Sequence, residues 1–118
     1  MTLDPIAALR VYDEAWKIAD YETRLASLRT IWAEDGLYVD PDVPEGARGP
    51  EGLAAVIDAQ LEQYPGMSIV SSAPDVLGDR AWLRWSATLA SGETFTGVDF
   101  FEFAPDGRIA RFTGFYEE

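Results

Sequence analysis

A chain of 118 residues with 47% hydrophobic and 13% aromatic content has enough apolar surface for one domain with a real core, and too little length for two. Its formal charge of −12, from 21 acidic against 9 basic residues, repels phosphate backbones and anionic headgroups, which argues against nucleic acid and membrane surfaces as partners. Having neither histidine nor cysteine, it cannot build a Ser-His-Asp triad, a thiolate nucleophile or an ordinary zinc site.

Asp4-Pro5 reads as a helix start, with Asp as the N-cap and Pro at the first helical position. Ala8, Tyr12, Ala15, Trp16 and Ala19 then share one helical stripe. A second helix is expected from Tyr21 to Ala33, with Leu25, Leu28 and Trp32 on one face, stopping near Gly36. "LYVD" follows as a short strand ending on Asp40-Pro41, and Pro41 to Arg48 reads as a loop forming the rim of a mouth. Gly49-Pro50-Glu51 opens a third helix with Leu53, Val56, Ile57, Leu61 and Tyr64 at helical spacing, ended by Pro65-Gly66. Beyond it, "SIVSSAPDVLG", "RAWLRWSATLA", "ETFTGVDFFEF" and "RIARFTGFYE" are rich in aromatic and β-branched residues. Gly78-Asp79, Ser91-Gly92 and Asp106-Gly107 separate them as hairpin turns. Three helices, one early strand and a four-stranded antiparallel meander make a single α+β domain.

Strand alternation puts Leu83, Trp85 and Leu89 on one face and Trp82 on the other, while Phe95, Phe101 and Phe103 oppose Val98 and Phe100. A sheet apolar on both sides needs two covers. The helices supply one, and a homodimer partner is the expected second.

With no apolar run near the ~20 residues of a membrane span and no signal-peptide pattern in "MTLDPIAALRVYDEAW", a cytoplasmic location is expected. Lys17 is the one lysine and lies on a predicted helix, and no Gly-rich phosphate loop occurs. If the chain is an enzyme, its proton chemistry is expected to fall to carboxylates, helped by tyrosine, without cofactor or metal.

Two carboxylates stand out. Asp99 shares its strand face with Phe95, Gly97, Phe101 and Phe103. On such a face it either pairs with an arginine, Arg84 or Arg111, or is desolvated with a raised pKa. Gly97, two residues earlier, is expected to leave room beside it. Asp40 shares a face with Tyr38, and its Asp-Pro setting suits an ordinary turn as well as a base aimed from a strand end. Tyr12 and Trp16 read as core packing or as site residues. Arg48 either holds an anionic group or closes the rim.

Together, "WAEDGLYVDP", "RGPEGLAAVI" and "GVDFFEFAPDGRIARFTGF", with the order of elements, resemble the nuclear transport factor two-like superfamily, nearest its ketosteroid isomerase and SnoaL-like polyketide cyclase branch. The resemblance covers nearly the whole chain. It implies a cone-shaped fold in which three N-terminal helices pack on a curved, mostly antiparallel sheet around a pocket. In ketosteroid isomerases the Asp of an Asp-Pro ending the first strand is the general base, which matches Asp40. Their oxyanion hole uses a protonated Asp, which matches Asp99 in "DFFEF", and a helix tyrosine whose place falls to Trp16 or Tyr12. The resemblance thus implies proton abstraction beside a carbonyl of an apolar small molecule, giving isomerisation or cyclisation. Tyr38, Trp32, Trp82, Trp85, Phe95 and Phe101 are the expected substrate contacts. The alternatives are a ligand-binding or dimerising module of the same fold, and a hydrolase or dehydratase in which Asp40 activates water. The related limonene epoxide hydrolases are matched at Tyr38 and Arg84, but Ser86 and Gly114 replace their carboxylates and Asp40 their Asn.

Overall fold

The computed structural model describes residues 3–117. Helix α1 spans Pro5–Ala15, with the Asp4 carboxylate accepting from the Ala7 N–H at 3.0 Å. Helix α2 spans Tyr21–Arg29 and is capped in the same way by Asp20, which accepts from the Thr23 N–H at 2.9 Å. Between them Arg24 lies fully buried. Its guanidinium donates to the carbonyls of Ile18 (2.6 Å) and Ala15 (3.3 Å), satisfying acceptors that the end of α1 leaves open.

Helix α2 stops earlier than the Leu25-Leu28-Trp32 spacing predicts. Thr30 and Ile31 donate three residues back, to Ser27 and Leu28, which tightens and ends the helix. Trp32 instead opens strand β1 (Trp32–Asp40), with its indole N–H donating to the Gly36 carbonyl at 3.2 Å. The expected loop is likewise a strand, β2 (Val43–Arg48), paired antiparallel to β1 through Leu37–Arg48 and Tyr38–Ala47. It lies at the sheet edge, where Pro44 forfeits no internal ladder bond. Helix α3 (Gly49–Gln63) follows directly, joined to α2 by the Arg29–Glu51 ion pair at 2.7 Å.

The expected four-strand meander is more broken. "SIVSSAPDVLG" forms two short strands, β3 (Ser68–Ser71) and β4 (Asp75–Leu77), both antiparallel to β5 (Arg80–Thr88). Strands β6 (Thr94–Phe103) and β7 (Ile109–Glu117) complete the meander, and β7 runs parallel to β1. The order is β2-β1-β7-β6-β5-β3, an open sheet on whose inner face the three helices pack. Leu9, Leu28, Leu53, Ile57, Phe101 and Phe112 are buried between helices and sheet. The outer face remains open, with Val70, Trp82 and Phe115 at 67%, 40% and 57% exposure.

Candidate active site

The helices close one end of the sheet and leave a cavity of about 330 Å³ at the other. Tyr12, Asp13 and Trp16 reach it from the end of α1, and Tyr38 and Asp40 from β1. Gln60 and Tyr64 reach it from α3, and Trp85, Ala87, Phe95, Asp99, Gly114 and Tyr116 from the meander strands. The volume is at the small end of ligand sites, enough for a skeleton of about one or two rings.

Asp40 answers both sequence readings at once. Its Oδ1 accepts from the N–H groups of Asp42 (2.8 Å) and Val43 (2.9 Å), which makes it the pin of the β1–β2 turn. Its Oδ2 faces the Tyr38 hydroxyl, which donates at 2.5 Å. Tyr38 is itself held by stacking on Phe112 (centroids 4.5 Å apart, planes 3° apart), and burial pushes its phenol pKa well up. The carboxylate is therefore oriented by three donors and still lines the cavity.

Asp99 has the opposite surroundings. Strand register brings it opposite Gly114 of β7, and the Val39–Thr113 pair brings Asp40 beside that glycine on its other side. The two carboxylates thus sit on one face, two strand spacings or roughly 10 Å apart along the backbone. Gly114 keeps the space between them low: a Cβ there would press on the Phe112 ring and meet the Asp40 Cβ at 3.4 Å. Among the described residues no cation reaches Asp99. Arg84 lies on the outer face with its guanidinium 5.8 Å from the Trp82 ring, and Arg111 faces Glu102 at 4.0 Å. Burial raises the Asp99 pKa to about 8; the Trp85 indole N–H facing it opposes the rise, and the charges of Asp40 and Asp13 add to it.

Gly97 does not leave empty room beside Asp99. The Trp85 indole lies over it, and a Cβ there would collide with that ring and with the Phe115 carbonyl oxygen. Missing a side chain, Gly97 seats a tryptophan against the carboxyl.

Tyr12 and Trp16 both line the cavity. Tyr12 packs against Trp32, Phe101 and Phe112 at centroid distances of 6.2, 5.4 and 5.7 Å. Burial pushes its pKa well up, and the Trp16 side chain, hydrogen-bonding to it, holds it back. Of the expected substrate contacts, Tyr38, Trp85 and Phe95 line the cavity. Trp32 and Phe101 do not: they are fully buried core residues behind Tyr12. Trp82 does not either, because alternation along β5 sends it to the outer face. Arg48 donates to the Asp35 carbonyl at 3.3 Å, away from the mouth.

Five polar residues that sequence reasoning passed over, Asp13, Asp42, Gln60, Ser71 and Tyr116, belong to the wall. Asp13 accepts from the Ser71 hydroxyl at 2.9 Å. Asp42 accepts from the Tyr116 hydroxyl at 2.6 Å and from Gln60 at 3.3 Å. The Asp13–Tyr12 neighbourhood was visible on α1, whereas the Tyr116–Asp42 contact spans 74 residues and has no local signal.

An α+β cone, open at one end and walled by aromatics and carboxylates, is the class of domain that fold and site define. Residues 8–112 match the SnoaL-like domain, and the chain belongs to that family. The structure is similar to that of a proposed isomerase of the SnoaL-like family from Agrobacterium tumefaciens, with TM-score 0.87, 29% identity and 97% of each chain covered. A proposed SnoaL-like polyketide cyclase from a Jannaschia species superposes with TM-score 0.78 at 21% identity, covering 99% of this chain and 91% of that one. A proposed ketosteroid isomerase from Kribbella flavida superposes with TM-score 0.74 at 24% identity, covering 97% and 78%. These last two establish the shared fold alone. No match is found among curated proteins. Among the described residues, no helix is long and apolar enough to cross a membrane.

Proposed function

We propose that the chain is an acid/base enzyme acting on a small, largely apolar carbonyl compound. The observation that carries this reading is the contrast between two carboxyls facing one cavity: Asp40 oriented by three donors, Asp99 desolvated with no cation beside it. Environments that push two titratable groups apart are how one site obtains a base and an acid together. Asp40 Oδ2 takes the proton from the carbon next to the carbonyl, the C–H pair forms a carbon–carbon double bond, and the carbonyl π pair moves onto oxygen. The resulting enolate oxygen accepts from the protonated Asp99 and from the Tyr12 hydroxyl, with Trp16 supporting Tyr12. Return of the proton to another carbon gives an isomer. Attack of the enolate carbon on a second carbonyl of the same molecule gives a ring, and the new alkoxide oxygen takes the proton back from Asp40.

Solvent deuterium exchange tests the first step without knowledge of the natural substrate. Wild-type protein in deuterated buffer should speed loss of the α-proton signals of small cyclic ketones by at least ~100-fold over buffer, read by NMR. No acceleration across a set of such ketones would leave the ligand-binding reading as the better one. Two copies are proposed to pair through the outer face around Trp82 and Phe115. Sedimentation should then show twice the 13.0 kDa chain mass for the wild type and a single chain for Phe115→Glu; a monomeric wild type removes the homodimer.

A further inference from the structure

The cavity wall is one-sided in charge. Asp13, Asp40, Asp42 and Asp99 all line it, and among the described residues no lysine or arginine does. The basic residues nearest in the chain stay outside the cavity: Lys17, exposed to solvent, shares its charge between Asp13 at 3.7 Å and Glu14 at 3.4 Å, and Arg24 is buried against carbonyls. The remaining wall is mostly aromatic, with Trp16, Tyr38, Tyr64, Trp85 and Tyr116 presenting ring surface. Asp99 faces the Trp85 indole N–H with no cation beside it among the described residues and stays largely protonated near neutral pH, so the charge of the wall falls to Asp13, Asp40 and Asp42. An anionic ligand would meet repulsion from Asp13, Asp40 and Asp42, and a neutral one would leave their negative charge without a cation inside the cavity. The carboxylates do not converge in threes as metal ligands do, so the wall suits a spread positive charge rather than a small ion.

We infer that the ligand of this cavity carries a cationic nitrogen on an apolar skeleton. This rests on the reading of the cavity as the substrate site and narrows the substrate to a carbonyl compound with an ammonium group. The aromatic faces attract the cation through their quadrupoles, and the carboxylates of Asp13 and Asp42 supply the counter-charge. The long-range field of a chain with charge −12 draws the same ligands toward the mouth.

A size-matched trio separates charge from shape: adamantyl ammonium, adamantanol and adamantane carboxylate, titrated calorimetrically at low salt. The ammonium should bind at least ~10-fold more tightly than the alcohol, a gap of ~1.4 kcal/mol, and the carboxylate most weakly. Asp13→Asn should weaken the ammonium ~3-fold or more and leave the alcohol unchanged. Equal binding of ammonium and alcohol, an equal effect of Asp13→Asn on both, or no binding by any of the three overturns the inference. Exchange of neutral ketones without ammonium preference would remove this inference alone; ammonium preference without exchange would remove the catalytic proposal alone.

Discussion

Asp40→Asn should slow α-proton exchange by at least ~1,000-fold while changing stability by less than ~1 kcal/mol. The two effects separate because the two oxygens of Asp40 do different things. Oδ1 holds the β1–β2 turn through the N–H groups of Asp42 and Val43, and an asparagine amide oxygen can accept the same pair. Oδ2 faces the Tyr38 hydroxyl and is the oxygen left to take a proton. In the variant an amide nitrogen stands there, which can donate to the Tyr38 oxygen but cannot accept a proton. Asp40→Ala removes both and should also cost about 1–3 kcal/mol, from two N–H groups left without their acceptor. Exchange rates by NMR and urea midpoints by circular dichroism read the two quantities on the same samples. A rate within tenfold of wild type in Asp40→Asn would dismiss Asp40 as the base.

How much of this was legible beforehand depended on how local the determinant was. Asp4-Pro5 and Gly49-Pro50 announced helix starts because capping involves neighbours. The glycines at 78, 92 and 107 announced turns because each has positive φ. The SnoaL-like family and its mostly antiparallel sheet under three helices were likewise readable from the motifs and element order. Strand β2 was not, because Pro44 and Gly46 suit a loop and their pairing is supplied by β1. Trp32 continued a helical spacing, yet its indole is seated by Gly36 within β1. Alternation correctly divided the aromatic residues of β5 between two faces without saying which face the helices cover. That choice decides why Trp85 lines the cavity and Trp82 lies outside. Asp13 and Asp42 joined the wall through partners 58 and 74 residues away, a separation no local pattern carries.

Asp99→Asn should stabilise the fold at alkaline pH and flatten the alkaline side of the activity profile. The Asp99 carboxyl has an ordinary value of 3.8 and is raised to about 8 in the folded chain, first by burial. Between those values the native state binds a proton that the unfolded state has released, so stability falls as pH rises from about 4 to about 8. Below that window both states are protonated and the group costs nothing; above it both are ionised and the full penalty applies. The amide has no such dependence. Because the carboxyl lines a cavity that water can enter, the advantage of Asp99→Asn at pH 9 should be on the order of 3 kcal/mol, well short of the full shift converted to energy. Denaturant titrations of both proteins from pH 5 to pH 9 should therefore diverge progressively, with the variant above. Activity tests the other half. The wild-type rate should decline as pH passes about 8, because an ionised Asp99 can no longer donate to the enolate oxygen. The amide still donates, so Asp99→Asn should stay within ~10-fold of wild type at pH 7, whereas Asp99→Ala should lose ~100-fold or more. Parallel stability curves for wild type and Asp99→Asn would mean that the carboxyl titrates as an ordinary acid, and the enolate would then lack its principal donor.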